Sequence, residues 1–284
     1  MTDPVVPPAL RNIKALTFDV FGTVVDWRST VEDALAEVAQ AKVASPTYAS
    51  LPAASRARLE ALTADDWARF AQEWRASYHV FTSTFVPGET AWKDIDAHHL
   101  DSLRVLLRAW GLADIFLPSS ADDDDDEGGE EVRSLSLVWH RLRPWADSAA
   151  GIRRLGTRLQ TATLSNGNQS LLRDLDAHGG LGFRRIISTA DFGAYKPHPS
   201  TYLGAAAALG ARPDEVAMVA AHLGDLAAAR ELGFRTIYVE RPGEEQWGPR
   251  EGRYREAREE WVDLWVAEGE GGFEEVARRL GIPE

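Results

Sequence analysis

Apolar residues along this chain fall into two regimes, which divide near Pro144. Residues 11–19 (RNIKALTFD) form an apolar run that ends on an acid, which predicts a buried strand closing at Asp19 and a turn holding Gly22 and Thr23. Ser29-Thr30-Val31-Glu32 reads as a capping box, after which Val31, Ala34, Leu35 and Val38 fall at helical spacing. Further stripes follow at Trp67, Phe70, Trp74, Tyr78 and Phe81, then at Leu100, Leu103, Leu107 and Trp110, closed by Gly111, and then at Val132, Leu135, Trp139 and Leu142. No strand alternation interrupts them, so 27–143 is expected to be a helical insertion.

Beyond Pro144 helices and short apolar strands alternate. Helices are predicted near 146–155, 168–178, 199–209, 225–232 and 273–280, with strands at 158–164, 185–189, 215–220, 235–239 and 262–266. Helical crossovers between short apolar strands imply a parallel sheet covered on both faces. The expected architecture is an α/β, Rossmann-like doubly wound sheet built from 1–26 and 144–284, with the helical segment 27–143 inserted as a cap. Ligands of such sheets bind beyond the carboxyl ends of the strands. Asp19, Ser165-Asn166, the Lys196 loop and Asp225 all lie just past predicted strand ends, and an insertion leaving after the first strand would sit over that edge as a lid.

Composition narrows the chemistry. The 284 residues include no Cys, which excludes disulfides, thiolate metal sites and cysteine nucleophiles. MTDPVVPPAL carries no basic region leading into an apolar core, and no apolar run reaches the ~18 residues of a span, so a soluble cytoplasmic protein without membrane attachment is expected. The net charge of -13 is mostly local: residues 122–131 hold eight of the 44 acids, leaving 36 against 31 bases. That acidic run lacks the alternating ligands and glycine of a calcium loop and reads as a solvated loop over 121–131. No basic stripe with interleaved aromatics suggests nucleic acid.

Four polar groups then stand out. Asp19 can project into the crevice as a nucleophile, since a positioned carboxylate is competent where a free one is not. Lys196, in the stiff Tyr195-Lys196-Pro197-His198-Pro199 loop, can keep Asp19 ionised and anchor an anion. Ser165-Asn166-Gly167 precedes a helix, where hydroxyl, amide and backbone N–H groups receive an anion. Asp225 offers a second carboxylate, for orienting Lys196 or for activating water. Taken singly, each also reads as turn or cap chemistry; four together in this order point to a site.

FDVFGTVVDW, TLSNGN, YKPHPSTY and VAAHLGDLAAARELGFRTIYV resemble the four ordered motifs of the haloacid dehalogenase superfamily, and in detail its L-2-haloacid dehalogenase branch. The likeness runs from about residue 13 to 240. It implies hydrolysis of short 2-haloalkanoic acids to 2-hydroxy acids. Asp19 displaces halide with inversion, and water positioned by Asp225 and its neighbours then hydrolyses the ester left on Asp19. The amides of Val20 and Phe21, with Ser165 and Lys196, hold the substrate carboxylate, and Asn166 supports them. The resemblance also implies a preference for L-substrates, no metal or organic cofactor, a small-molecule substrate as the partner and, as is common in the family, a homodimer. Glu73-Trp74-Arg75 matches a cap pair whose Arg receives the halide, against the reading of Arg75 as a solvated helix residue. Tyr202 matches an active-site tyrosine, with helix packing as its alternative, and Thr23 matches a turn threonine that supports the nucleophile.

Phosphatases of the superfamily place a second Asp two residues after the nucleophile, as the acid for an alkoxide leaving group. Here that position is Phe21, and a halide needs no proton. Nor is Asp225 followed by another acid, since Leu226-Ala227-Ala228-Ala229 comes next. The chain departs from the branch at His222, where the family has asparagine, at Gly224 in place of tryptophan, and at Phe21 in place of tyrosine. His222 is either a catalytic group or a satisfied loop histidine. A phosphatase acting on a small phosphate ester and a catalytically diverged binding protein are the alternatives.

Overall fold

In the computed structural model of the chain, residues 6–117 and 129–283 are described; most of the acidic run, 121–128, lies outside them. The described residues divide into two compact units: one of residues 6–26, 86–89 and 143–283, the other of 27–85, 90–117 and 129–142.

The first unit is built on a five-stranded parallel sheet. Its strands are β1 (Ala15–Phe18), β4 (Gln160–Thr163), β5 (Val216–Ala220), β6 (Arg235–Val239) and β7 (Leu264–Val266), in the order β4-β1-β5-β6-β7. Every residue of β1 and β5 is buried, which is why both read as unbroken apolar runs. A separate antiparallel pair joins β2 (Val25–Asp26) to β3 (Arg143–Pro144). In chain order the sheet runs second, first, third, fourth, fifth, so connections from β1 and β5 leave in opposite directions. The crevice past those two strands is the topological switch point, where such sheets bind ligands. Phe18 lies opposite Val219 in the register, and Asp19 N donates to Val219 O at 3.0 Å, so the residue after β1 is fixed beside the end of β5. On one face, helix Gly272–Arg279 packs against helix Ser148–Leu155 so closely that a Cβ on Gly151 would stand 2.4 Å from Phe273 Cβ. Phe273 in turn meets Phe18 edge to face, with centroids 5.3 Å apart.

The strand expected at 185–189 is absent. Isolated bridges join Ala162 to Arg185 and Ser165 to Ser188, and a 3-10 turn starts at Thr189. The Thr163 hydroxyl takes the place of a ladder partner, donating to Ile187 O and accepting from Ile187 N, each at 2.9 Å. Side-chain bonding has displaced regular pairing here.

The second unit is helical, with Trp27–Ala44, Ala53–Glu60, Ala64–Thr84, Ile95–Ala109, Ala113–Phe116 and Glu130–Ser136. The capping box expected at Ser29–Glu32 does not start the first helix. The extended pair β2–β3 ends at Asp26, and Trp27, itself buried, is already helical. A true capping box stands at Thr63, whose hydroxyl accepts from Asp66 N while Asp66 accepts from Thr63 N. The third stripe is not one helix. It stops at Ser136, tightens into a 3-10 turn over Leu137–His140 and becomes extended before Pro144, as a residue preceding proline prefers. Its four apolar residues are nevertheless buried. Trp74, His99 and Trp139 form the aromatic centre of this unit, with His99 stacked on Trp139 at 4.4 Å. No described helix is long and apolar enough to cross a membrane.

Candidate active site

The switch-point crevice holds a connected cluster of charges, all within the first unit. Lys196 Nζ lies 2.9 Å from Asp19 Oδ1 and 2.6 Å from Asp225 Oδ2. At the first separation two unit charges attract by about 6 kcal/mol at an effective dielectric of 20, before the desolvation of both is subtracted. Burial pushes the Asp19 carboxyl up, but the Lys196 charge and the His222 hydrogen bond outweigh it and hold Asp19 well below the usual carboxylate range. Burial likewise disfavours the Lys196 ammonium, and the two carboxylates overcome it and raise its pKa. The pair is therefore ionised throughout the neutral range.

The turn after β1 completes the grip on Asp19. Thr23 Oγ1 donates to Asp19 Oδ2 at 2.7 Å and accepts from Ala221 N at 2.9 Å, so one hydroxyl ties the carboxylate to the segment after β5. Val20 closes the turn by accepting at its carbonyl from Val24 N and Val25 N. Phe21 is 2 % exposed, and its ring is among the atoms that a Cβ on Gly167 would meet, at 3.3 Å. An apolar ring thus stands where a second acid would be.

Asn166 and Ser165 are buried behind β4. Asn166 Oδ1 accepts from Lys196 N at 2.7 Å and from Thr189 Oγ1 at 3.1 Å, and so fixes the backbone that carries the ammonium. Ser165 bridges to Ser188, beside the Gly167 carbonyl that Ser188 Oγ holds at 2.6 Å. Asp225 sits in the first turn of helix Leu223–Glu231, which begins two residues earlier than the apolar pattern suggests. Its Oδ1 accepts from the fully buried Tyr202 hydroxyl at 2.5 Å. Burial and then the Asp225 charge raise the Tyr202 pKa well above its ordinary value, which keeps the phenol a donor. Gly224 is exposed, and nothing lies within 4 Å of where its Cβ would be.

His222 reaches Asp19 as well. Its Nδ1 is 3.2 Å from Asp19 Oδ2, and its Nε2 is 3.2 Å from Glu244 Oε2. Burial lowers the imidazole pKa, but hydrogen bonds to Asp19 and Glu244 prevail and push it up to about 9. Glu244, which sequence reasoning missed, comes from the loop after β6. The strand-end rule applied to β6 as it was to β1 and β5 is the signal that points there. Arg241 of the same loop donates from Nε to Thr23 O at 3.0 Å and was missed likewise.

Trp74 and Arg75 belong to the helical unit. Trp74 is fully buried there, its indole N–H donating to His99 O and Ser102 Oγ, both at 3.1 Å. Arg75 is 6 % exposed, and its guanidinium lies over the rings of Tyr78 at 4.5 Å and Trp27 at 5.6 Å, so it is no solvated helix residue. Among the described residues, no three His, Cys, Asp or Glu side chains group so as to hold a metal ion.

A buried, ionised carboxylate past β1 is thus paired to a lysine, and through it to a second carboxylate, at the switch point of a parallel sheet. A family model described as haloacid dehalogenase-like hydrolase matches residues 13–233, and the chain belongs to that family. Its likeness is to the L-2-haloacid dehalogenases. A defluorinating L-2-haloacid dehalogenase of known structure is 31 % identical with a TM-score of 0.75, over 98 % of this chain and 99 % of that one. A second L-2-haloacid dehalogenase is also 31 % identical, with a TM-score of 0.72, over 95 % of this chain and all of the other. Among curated proteins, (S)-2-haloacid dehalogenase 1 of Pseudomonas sp. (strain CBS-3) is 33 % identical over 37 % of this chain and 47 % of its own length. The chain thus spans about half the length of the curated relatives it matches.

Proposed function

We propose that the protein is a hydrolytic 2-haloacid dehalogenase in which Asp19 is the nucleophile. The observation that carries this reading is the pairing of an Asp19 carboxylate bonded by Lys196, Thr23 and His222 with the buried Phe21 ring two residues later. A carboxylate held in line displaces halide without a proton donor, whereas an alkoxide leaving group needs one. Asp19 attacks C2 of the haloacid, the carbon–halogen bond breaks with inversion, and an ester remains on Asp19. Water then attacks the Asp19 carbonyl carbon and releases the 2-hydroxy acid. Lys196, Ser165 and the Val20 and Phe21 amides hold the substrate carboxylate, with Asn166 and Tyr202 supporting them. Arg75, an arginine already desolvated among aromatic rings, is the proposed halide acceptor.

The test is chloride release from L- and D-2-chloropropionate, with chelator present and Asp19→Asn as control. Chelator-resistant release from the L-enantiomer, abolished by the substitution, is expected. No release from either, alongside magnesium-dependent turnover of a phosphate ester, would overturn the reading in favour of a phosphatase.

A further inference from the structure

Hydrolysis of the ester needs a base, and Asp225 already has a donor on each of its carboxylate oxygens. Asp225 Oδ2 accepts from Lys196 Nζ at 2.6 Å and Oδ1 from the Tyr202 hydroxyl at 2.5 Å. Both oxygens are engaged by donors, and both contacts serve to fix the ammonium. His222 stands differently. One ring nitrogen faces Asp19 Oδ2 and the other faces Glu244 Oε2, each at 3.2 Å. An imidazole between a reacting group and a carboxylate that orients it is the arrangement of a general base and its support.

The backbone is shaped for this contact. Gly22 has φ +82°, and a Cβ there would lie 2.0 Å from Glu244 Oε2. Glu244 therefore reaches the ring through space that only glycine leaves open.

Resting on the dehalogenase reading above, we propose that His222 is the general base for hydrolysis of the Asp19 ester and that Glu244 is its positioning residue. In the free enzyme the imidazolium donates to both carboxylates. Alkylation removes the Asp19 charge, and the ring releases its proton to solvent. Nδ1 then takes a proton from water as the water oxygen bonds to Asp19 Cγ and the carbonyl electron pair moves onto oxygen. Collapse breaks the bond between Cγ and the ester oxygen, and the departing alkoxide takes the proton back from His222. The carboxylic acid left at Asp19 gives its proton to His222, which restores the starting state. One water is consumed, and one halide and one proton are released.

Rapid-quench turnover of L-2-chloropropionate, reading chloride and lactate separately, tests the assignment in His222→Gln and Glu244→Gln. His222→Gln is expected to release one chloride per site in a fast phase. Lactate formation should then be at least 100-fold slower than in the parent, the range that general-base catalysis supplies, with the substrate found covalently on Asp19 by mass spectrometry. Glu244→Gln should keep the chloride burst and slow lactate release about 10-fold, and it carries the test if His222→Gln does not fold. Steady lactate production by both variants at the parent rate would overturn the assignment, as would loss of the chloride burst in either variant while it remains folded. Absence of chloride release from the parent protein would instead remove the dehalogenase reading beneath it.

Discussion

Arg241 and Asp147 meet fork to fork, with Nη1 2.6 Å from Oδ1 and Nη2 2.8 Å from Oδ2. Asp147 also accepts from Phe273 N at 2.7 Å, and Arg241 Nε donates to Thr23 O. Burial raises the Asp147 carboxyl, but the Arg241 hydrogen bonds and charge prevail and hold it below its ordinary value. The turn that carries the nucleophile is thereby anchored to the helix pair on one face of the sheet.

Arg241→Met leaves a mostly buried carboxylate unpaired and is expected to cost about 3 kcal/mol. Adding Asp147→Leu should recover most of that loss, because the stranded charge goes with it. Urea titration of the single and double variants decides. A double variant no more stable than the single one would show that the pair is not the source of the loss.

Tyr202→Phe removes a hydroxyl donating to a carboxylate, a bond worth roughly 1.5–3 kcal/mol, and frees one side of Asp225. Lower stability and a kcat reduced about 10-fold are expected, since Lys196 loses a fixed partner. Measured kcat equal to that of the parent would mean that Asp225 fixes Lys196 without the Tyr202 hydroxyl.

Two histidines should give stability opposite slopes with pH. His222 is raised to about 9 from an ordinary 6.5, so the native state holds a proton that the unfolded chain has lost. Its contribution is full below pH 6.5 and disappears as pH rises towards 9. His99, fully buried with neither ring nitrogen hydrogen-bonded, is depressed well below 6.5 by burial first, then by His98, Arg75 and His140. The unfolded chain takes up its proton first, so stability falls as pH drops below 6.5. Melting curves of His222→Gln and His99→Gln against the parent should show the alkaline loss reduced in the first and the acid loss reduced in the second.

Gly22→Ala places a side chain at φ +82° and within 2.0 Å of Glu244 Oε2. Left-handed backbone alone costs an alanine roughly 1–2 kcal/mol. Lactate release should slow more than the chloride burst, because Glu244 must move while Asp19 keeps Lys196. Equal slowing of both phases would point to general damage to the turn.

Much of the fold was legible because strands buried on both faces carry unbroken apolar runs, as β1 and β5 do. The segment at 185–189 has only Ile186 and Ile187 as apolar residues, and Thr163 bonds it through a hydroxyl, a choice that no periodicity records. The helix start at Trp27 was hidden because it is set by β2 pairing with a strand over a hundred residues away. In the site, the bond from Lys196 to Asp19 joins residues 177 apart, and the strand-end rule together with the ordered motifs is what pointed to it. Glu244 is one acid among 44, and its neighbours in sequence do not distinguish it. The strand-end rule points to its loop after β6, but its contacts with Gly22 and His222 are set by the fold.

The irregular segment beside β4 also bears on how molecules of this protein meet one another. β4 ends the sheet, and a terminal strand with open donors and acceptors invites pairing with another chain. Here Thr161 O accepts from Arg184 N and Arg185 N, Thr163 N donates to Arg185 O, and the Thr163 hydroxyl occupies both backbone groups of Ile187. Because 184–188 is bonded partly through a side chain, it offers its outer side no regular ladder for an incoming strand. The break in the β pattern thus works against edge-to-edge aggregation.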